Sequence, residues 1–290
     1  MVVEVLKGKQ VPSAIPEAGF LRHVAACNNA DLPGDRLAFS IGAQQVGWVK
    51  PGLVPRLERF PTVHSGPAGL ALAHADALPA IARTLADEGL CRWRAEAFDV
   101  RADPSGPVLS RIDRGAVPVF GIFAVGVHLN GLVQRADGLY LWVARRAADK
   151  LLDPGKLDHI VAGGVPAELT PEETLVKEAA EEAAIPADLV RQARWVGTIG
   201  YAMDRREGLR RDHLRCYDLM LPEDFEPHAT DGEVEGFELW PIAEILNAVR
   251  TSDRFKFNVN LVLIDLFLRL GLIEAADATP LRNALAAGRI

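Results

Sequence analysis

The chain is short of the residues that would define several whole classes of protein. Its 290 residues include only 3 cysteines, Cys27, Cys91 and Cys216, odd in number and far apart. Neither a disulfide framework nor a CxxC-type zinc site is built from that set. Positive charge is also in deficit: Lys plus Arg number 32 against 39 Asp plus Glu, a formal net charge of −7. The basic footprint that holds nucleic-acid phosphate is missing, so no nucleic-acid partner is expected. Long apolar runs are absent as well. The longest, Val119 to Leu129, contains two glycines and a histidine and is too short to span a bilayer, so no membrane partner is expected either. Met1 to Gln10 carry no apolar stretch ahead of a small-residue cleavage site, so no secretory signal is expected. There is no internal repeat and no low-complexity tract. These absences point to a cytoplasmic, reducing-compartment protein.

What is present fits a globular chain. Hydrophobic residues make up 49% and charged residues 24%, which excludes a disordered chain, and the length suits about two domains. The clearest break lies between Ala102 and Pro118, where Pro104, Gly106, Pro107, Gly115 and Pro118 interrupt the pattern, with Val108 to Ile112 a possible short strand inside it. Before the break, helices are expected over Glu17 to Cys27 and Ala77 to Glu88. The second carries an apolar stripe of Leu78, Ile81, Ala82 and Leu85, with Gly89 placed to end it. Strands are expected at Leu37 to Ile41 and Gln45 to Val49, and Trp93 to Val100 is expected to be extended. After the break, Val119 to Leu129 reads as a buried strand that forms a hairpin with Leu139 to Ala144 across the turn Asp137-Gly138. Further strands are expected at Ala193 to Tyr201 and Leu214 to Leu221, and helices at Val259 to Leu270 and from Pro280. Residues 1–115 are read as a small α+β domain and 116–290 as a second domain with a mixed sheet packed by helices.

The chemistry concentrates in Ala162 to Pro186. Thr170 can cap a helix, Pro171 suits its first position, Glu173 completes a Thr-x-x-Glu capping box, and Pro186 marks the stop. Inside this helix Glu178, Glu181 and Glu182 stand at i, i+3 and i+4, neighbours on one face with Cβ atoms roughly 5–6 Å apart. Such a cluster on an exposed helix is commonly only a solvated face. A divalent cation turns its mutual repulsion into binding, since Mg²⁺ takes hard oxygen ligands and shares them with substrate phosphates. Glu178 and Glu182 are the first pair for such an ion, Glu181 flanks them, and Lys177 can neutralise or orient.

This segment resembles the signature of the Nudix hydrolases, Gly-x5-Glu-x7-Arg-Glu-U-x-Glu-Glu-x-Gly-U with U apolar. Gly163 and Gly164 match its glycine start, and Lys177-Glu178-Ala179-Ala180-Glu181-Glu182 matches its core with Lys for Arg. Three departures stand out: Leu169 occupies the early Glu position, the spacing from Gly164 to Lys177 is one residue short, and Ala184 replaces the closing Gly. Glu168 or nothing takes the place of the early Glu. Further stretches, among them FLRHVAACNNA (Phe20 to Ala30), PGKLDHIVAGG (Pro154 to Gly164), DGEVEGFELW (Asp231 to Trp240) and FNVNLVLIDLFLRLG (Phe257 to Gly271), are similar to one Nudix subgroup. Its members relate to the N-terminal part of fungal thiamine pyrophosphokinase and carry an extra N-terminal domain, and in them a Leu at the Leu169 position and the missing Gly are normal.

The resemblance implies a Nudix α/β/α sandwich with a mixed sheet behind the small α+β N-terminal domain. It also implies Mg²⁺- or Mn²⁺-dependent hydrolysis of a diphosphate, thiamine diphosphate or its oxidised forms, to the monophosphate and phosphate. The metal ligands would be Glu178, Glu181, Glu182 and a Gly163 backbone carbonyl, with Glu178 or Glu181 as base and Glu233 as a further ligand; Glu235 is a weaker candidate beside it. Arg145, Arg146 and Lys150 would grip phosphate, and Trp142 and Tyr201 would stack on an aromatic ring; each has an ordinary surface or core role as its alternative. His128 and Asn130, on an apolar strand, read as hydrogen-bonded core before ligands. Rival readings are hydrolysis of ADP-ribose, a dinucleotide or an oxidised nucleoside triphosphate, a non-catalytic sensor, and an allylic diphosphate isomerase using Cys216 as acid. The N-terminal domain would wall the pocket or mediate a homodimer.

Overall fold

The structure, a computed structural model, describes residues 18–230 and 232–288. The Met1 to Gln10 segment, Glu17 and Asp231 of the expected late turn lie outside them. The helices are α1 (Ala18–Cys27), α2 (Val54–Leu57), α3 (Leu78–Asp87), α4 (Pro171–Ala183), α5 (Ala187–Val190), α6 (Ile242–Thr251), α7 (Val259–Arg269) and α8 (Ala275–Ala287). The strands of the first unit are β1 (Leu37–Ile41), β2 (Gln44–Val49), β3 (Val63–Gly66), β4 (Gly69–Leu72), β5 (Ala97–Val100) and β6 (Ser110–Asp113). Those of the second are β7 (Phe123–Arg135), β8 (Gly138–Arg146), β9 (Leu157–His159), β10 (Val161–Gly164), β11 (Arg194–Arg205), β12 (Gly208–Met220) and β13 (Val234–Pro241). Among the described residues no helix is long and apolar enough to cross a membrane.

The first unit is a four-stranded sheet in the order β2-β1-β4-β3 plus the separate β5–β6 hairpin. Leu78, Ile81, Ala82 and Leu85, the stripe visible in the sequence, are the buried face of α3. They join Phe39, Leu70, Leu72, Phe98, Ile112 and Phe120 in one core. The expected strand from Val119 starts four residues late. Val119 N–H bonds back to Ala116 O at 3.0 Å and Gly121 N–H to Pro118 O at 3.2 Å, so this stretch is a turn. Gly121 has φ +57 and a β-carbon there would meet Trp48 O at 2.4 Å, which only glycine avoids.

The second unit is a mixed sheet in the order β11-β12-β7-β8-β13. β7 runs parallel to β12 along one edge. Its other edge is divided: Leu132 to Arg135 pair with β8, whereas Gly126 to Leu129 pair antiparallel with β10. β8, having parted from β7, pairs with β9 instead. The segment Leu157 to Gly164 is thereby wedged into the split between two neighbouring strands, and Gly163 and Gly164 form the end of a paired strand. One face of the sheet is packed by α4 and α5, with Val127, Leu129, Val161, Leu175, Ala179 and Ala183 in its core. The other is packed by α6, α7, α8 and also α1, whose Phe20, Val24 and Cys27 are buried with Leu141, Val143, Leu214 and Phe267. Helices therefore cover both faces of a mixed sheet, as the expected sandwich requires, and a small α+β unit stands ahead of it. The final helix begins at Ala275, not Pro280, which lies inside it.

Candidate metal and diphosphate site

Helix α4 starts where the sequence puts it. Thr170 Oγ1 accepts the Glu173 N–H at 3.1 Å, the Glu173 carboxylate accepts the Thr170 N–H at 2.9 Å, and Pro171 opens the helix. Its end is less comfortable: Ala184 is in the left-handed region at φ 52, ψ 33. A side chain there is strained, and glycine relieves it. Ala184→Gly is expected to stabilise the protein by about 0.5–1 kcal/mol, read as a higher urea midpoint at unchanged m.

Leu175, Ala179 and Ala183 face the sheet, and the adjoining stripe of Glu178 and Glu182 faces β10. Glu182 is only 7% exposed, and its Oε2 accepts the Ala162 N–H at 2.9 Å. Glu178 lies against Gly163 so closely that a β-carbon on Gly163 would sit 2.6 Å from Glu178 Cδ and 2.7 Å from Oε2. Glycine at 163 is what lets the carboxylate and the strand backbone share this space. Glu181 is half-exposed and bonds Lys177 Nζ at 2.6 Å, while the same ammonium reaches Glu178 at 3.3 Å. Burial pushes the Glu182 carboxyl well above the ordinary range; the Ala162 N–H opposes this, and the charges of Glu178 and Asp158 add to it. Burial raises Glu178 too, Lys177 opposes, and Glu181 and Glu96 add.

These residues suit a divalent cation. Among the described residues, Glu182 is a buried carboxylate held by one backbone donor and touched directly by no cationic side chain, and a second carboxylate lies one turn away. All the donors are hard oxygens, which favour Mg²⁺ or Mn²⁺ over softer ions. A tighter grouping of possible ligand atoms, His128, Asp158 and His159 within 4.8 Å of one another, lies deeper. That grouping is already neutralised, because Asp158 Oδ2 accepts Arg146 Nη1 at 2.7 Å and Lys256 Nζ at 3.1 Å. Two fixed cations on its only carboxylate make it a poor place for a third.

The two histidines bond each other, Nδ1 to Nδ1 at 2.9 Å. Burial drives His128 well below the usual imidazole range, with His159 adding, and brings His159 down to about 4, with Asp158 opposing. Both are therefore buried neutral. A histidine whose folded pKa is depressed binds its proton more readily when unfolded, so stability is held above about pH 6.5 and falls as pH drops toward 4. Urea midpoints between pH 7 and pH 5 are expected to decline in the wild type and to decline less in His159→Gln. An equal slope in both proteins would contradict the assignment.

The other residues singled out by sequence are placed as follows. Arg146 is committed to Asp158, with further bonds to Leu152 O at 3.0 Å and Asp153 O at 3.2 Å, so it is an internal strut and not a free phosphate grip. Arg145 pairs with Glu238 at 2.9 Å and Lys150 with Glu233 at 2.6 Å. Burial works to raise Glu233, but Lys150, Arg114 and Arg146 outweigh it and hold the carboxyl below its usual range. Glu235 caps the Ala148 N–H at 2.9 Å. Tyr201 is 2% exposed and its hydroxyl donates to Asp212, so it is core and offers no face to a substrate ring. Trp142 is packed against the core under α4, its indole N–H buried without a protein partner. Asn130 donates to Asp218 at 2.8 Å. Cys216 is fully buried and burial raises its thiol, which removes the acid an isomerase would need. Glu168, at φ 73, turns to Arg111 at 2.9 Å. Two features escaped the sequence reading: Asp158 with Lys256, and the β5–β6 hairpin that reaches Gly164 and Ala167.

The model of the NUDIX domain family matches residues 125–259, and that of a domain of unknown function, DUF4743, matches residues 19–124. Among curated proteins, "Nudix hydrolase 24, chloroplastic" of Arabidopsis thaliana is 37% identical over 269 residues, covering 88% of this chain and 74% of the relative. "Nudix hydrolase 20, chloroplastic" of the same plant is 34% identical over 276 residues, with the same two coverages. Among solved structures, that of DR0079 from Deinococcus radiodurans is 21% identical at a TM-score of 0.43, covering 58% of this chain and 97% of that one. The chain belongs to the Nudix hydrolase family, whose members generally use divalent metal ions, and it is a hydrolase of a diphosphate substrate.

Proposed function

We propose that the chain hydrolyses thiamine diphosphate or its oxidised analogues to the monophosphate and phosphate, with Mg²⁺ or Mn²⁺ as its metal. The observation that carries the catalytic reading is the juxtaposition of Glu178 and Glu182, one turn apart, with Gly163. The thiamine reading rests on the subgroup resemblance from Phe20 to Gly271, which includes the first unit as well as the second. Glu182, Glu178 and the Gly163 carbonyl would hold the metal, with Glu181 and Glu233 at its margin. When bound, a divalent ion neutralises diphosphate charge and acidifies water.

Glu178, partly shielded from solvent and raised in pKa, is better suited than Glu181 to take the proton of the attacking water, since Glu181 is tied to Lys177. Water oxygen bonds to the terminal phosphorus, the bridging P–O bond breaks, and its electron pair leaves on the monophosphate. A reducing compartment, the cytoplasm, belongs to the same proposal and is consistent with three unpaired cysteines. So does the division into residues 1–115 and 116–290, with α1 packed on the second of them.

The test is chromatography of the products formed with Mg²⁺: monophosphate and phosphate from thiamine diphosphate, oxothiamine diphosphate and oxythiamine diphosphate, AMP and ribose phosphate from ADP-ribose, and monophosphate and pyrophosphate from 8-oxo-dGTP. Turnover led by the thiamine compounds supports the reading. Turnover led by a nucleotide retains the hydrolase and discards thiamine. Binding without turnover by any of the five would favour a sensor.

A further inference from the structure

The first unit reaches Gly164 and the segment ahead of α4 through its β5–β6 hairpin. Ala167 N–H donates to Ala97 O across 2.7 Å, and Arg111 on β6 holds Glu168 at 2.9 Å. The Phe98 ring presses on the second glycine of the pair, since a β-carbon on Gly164 would lie 2.6 Å from Phe98 Cζ. Just past β6, Arg114 N–H donates to Glu96 O at 2.8 Å and its Nη1 to the Glu96 carboxylate at 2.8 Å. The guanidinium carbon stands 5.7 Å from the Phe98 ring centroid, and the side chain is 50% exposed. Glu96 bears electrostatically on Glu178 of α4, and Arg114 on Glu233, the further ligand candidate ahead of β13.

We propose that Arg114 binds the substrate's diphosphate, exchanging its Glu96 partner for non-bridging phosphate oxygens, so that the first unit completes the cleft of the second. The inference rests on the reading of α4 as a diphosphate-hydrolysing face. Of the three cations that sequence offered for this role, Arg146 is locked on buried Asp158 beneath the site, while Arg145 and Lys150 are held in ion pairs by Glu238 and Glu233. Arg114 follows the hairpin whose Phe98 lies against Gly164, and its side chain is held by that ring face and by a half-exposed ion pair, both weak restraints. A diphosphate offers its fork two oxygens at once, the geometry guanidinium binds best. Docking of the hairpin does not depend on the Arg114 side chain, because the Ala97–Ala167 and Arg111–Glu168 bonds are separate from it.

The experiment uses the full chain as wild type, Arg114→Ala and Arg114→Lys. KM and kcat are measured on the best diphosphate of the panel, and calorimetry follows imidodiphosphate, which resists hydrolysis, with Mg²⁺. Arg114→Ala is expected to raise KM and weaken imidodiphosphate by roughly 10- to 100-fold, the worth of a lost charged hydrogen bond. Its Mn²⁺ affinity in the absence of phosphate should equal the wild type's, a result that a collapsed loop would not give. Arg114→Lys, with the charge but not the fork, should recover part of the binding; should the alanine variant not fold, weakened binding in the lysine variant supports the proposal and unchanged binding overturns it. Wild-type imidodiphosphate affinity in Arg114→Ala overturns the proposal and leaves the hydrolase standing. Arg114-dependent binding in a wild type that turns over no diphosphate would support Arg114 as an anion site and discard the hydrolase.

Discussion

Glu182→Gln is expected to lose diphosphate hydrolysis by roughly 10²- to 10⁴-fold in kcat while folding at least as stably as the wild type. The activity loss follows from removing a full negative charge from the oxygen set facing Gly163. A metal's several kcal/mol of charge stabilisation is realised only if the ion is held, and each 1.36 kcal/mol is tenfold in rate. The stability follows from burial. Glu182 is 7% exposed, and its carboxyl is pushed above its ordinary range chiefly by desolvation. A carboxyl whose folded pKa is raised gives its full stability below the unfolded pKa and loses it as pH rises through the folded value. At neutral pH without metal the wild type therefore carries a penalty that glutamine does not, and the glutamine oxygen can still accept the Ala162 N–H. Melting curves in chelator should place the variant level with or above the wild type. Added Mg²⁺ should raise the wild-type melting temperature and leave the variant nearly unmoved, by linkage to binding. Near wild-type turnover in Glu182→Gln would remove Glu182 from the metal set and with it the central support for the proposed chemistry.

The parts of this molecule that were legible in sequence are those decided within a few residues. The start of α4 is a local contest, won by Thr170, Pro171 and Glu173, and the structure forms those same bonds. The stripe on α3 is legible for the same reason. What could not be read depends on segments that meet only after folding. Arg146 looks like a phosphate grip beside a strand end; it becomes a strut because Asp158, brought alongside by β9, takes it up together with Lys256, remote in the chain. Tyr201 resembles a stacking residue until Asp212 on the neighbouring strand and Phe257, 5.9 Å away, enclose it. Helix α1 precedes the first unit in sequence yet packs on the second, a choice made by α6, α7 and α8. The split of β7 between β8 and β10 leaves no periodicity of its own, although it brings Gly163 to Glu178.

Asp158→Ala is expected to destabilise the fold by about 3–5 kcal/mol, the usual cost of removing one partner from a buried ion pair. Asp158 has a side chain 6% exposed and carries two cations, Arg146 at 2.7 Å and Lys256 at 3.1 Å. Its other oxygen accepts the His159 N–H at 2.9 Å. Burial alone would raise this carboxyl; Lys256 and Arg146 outweigh burial and hold it far below the usual range. Removing it leaves Lys256, with a side chain 11% exposed, as a charge without its counter-ion. The loss is not confined to one contact. Leu157 N–H bonds Arg254 O and Lys256 N–H bonds Leu157 O, both at 2.9 Å, so this cluster fastens the wedge of β9 and β10 to the chain entering α7. Adding Lys256→Met to Asp158→Ala removes the stranded charge and should return more than about 1 kcal/mol, a coupling that unfolding of the two single variants and the double variant measures directly. The double variant should also recover Mg²⁺-dependent stabilisation if the wedge again holds Gly163 beside Glu178. If Asp158→Ala costs less than about 1 kcal/mol, within the range of an ordinary exposed pair, the cluster is not what positions the glycine strand.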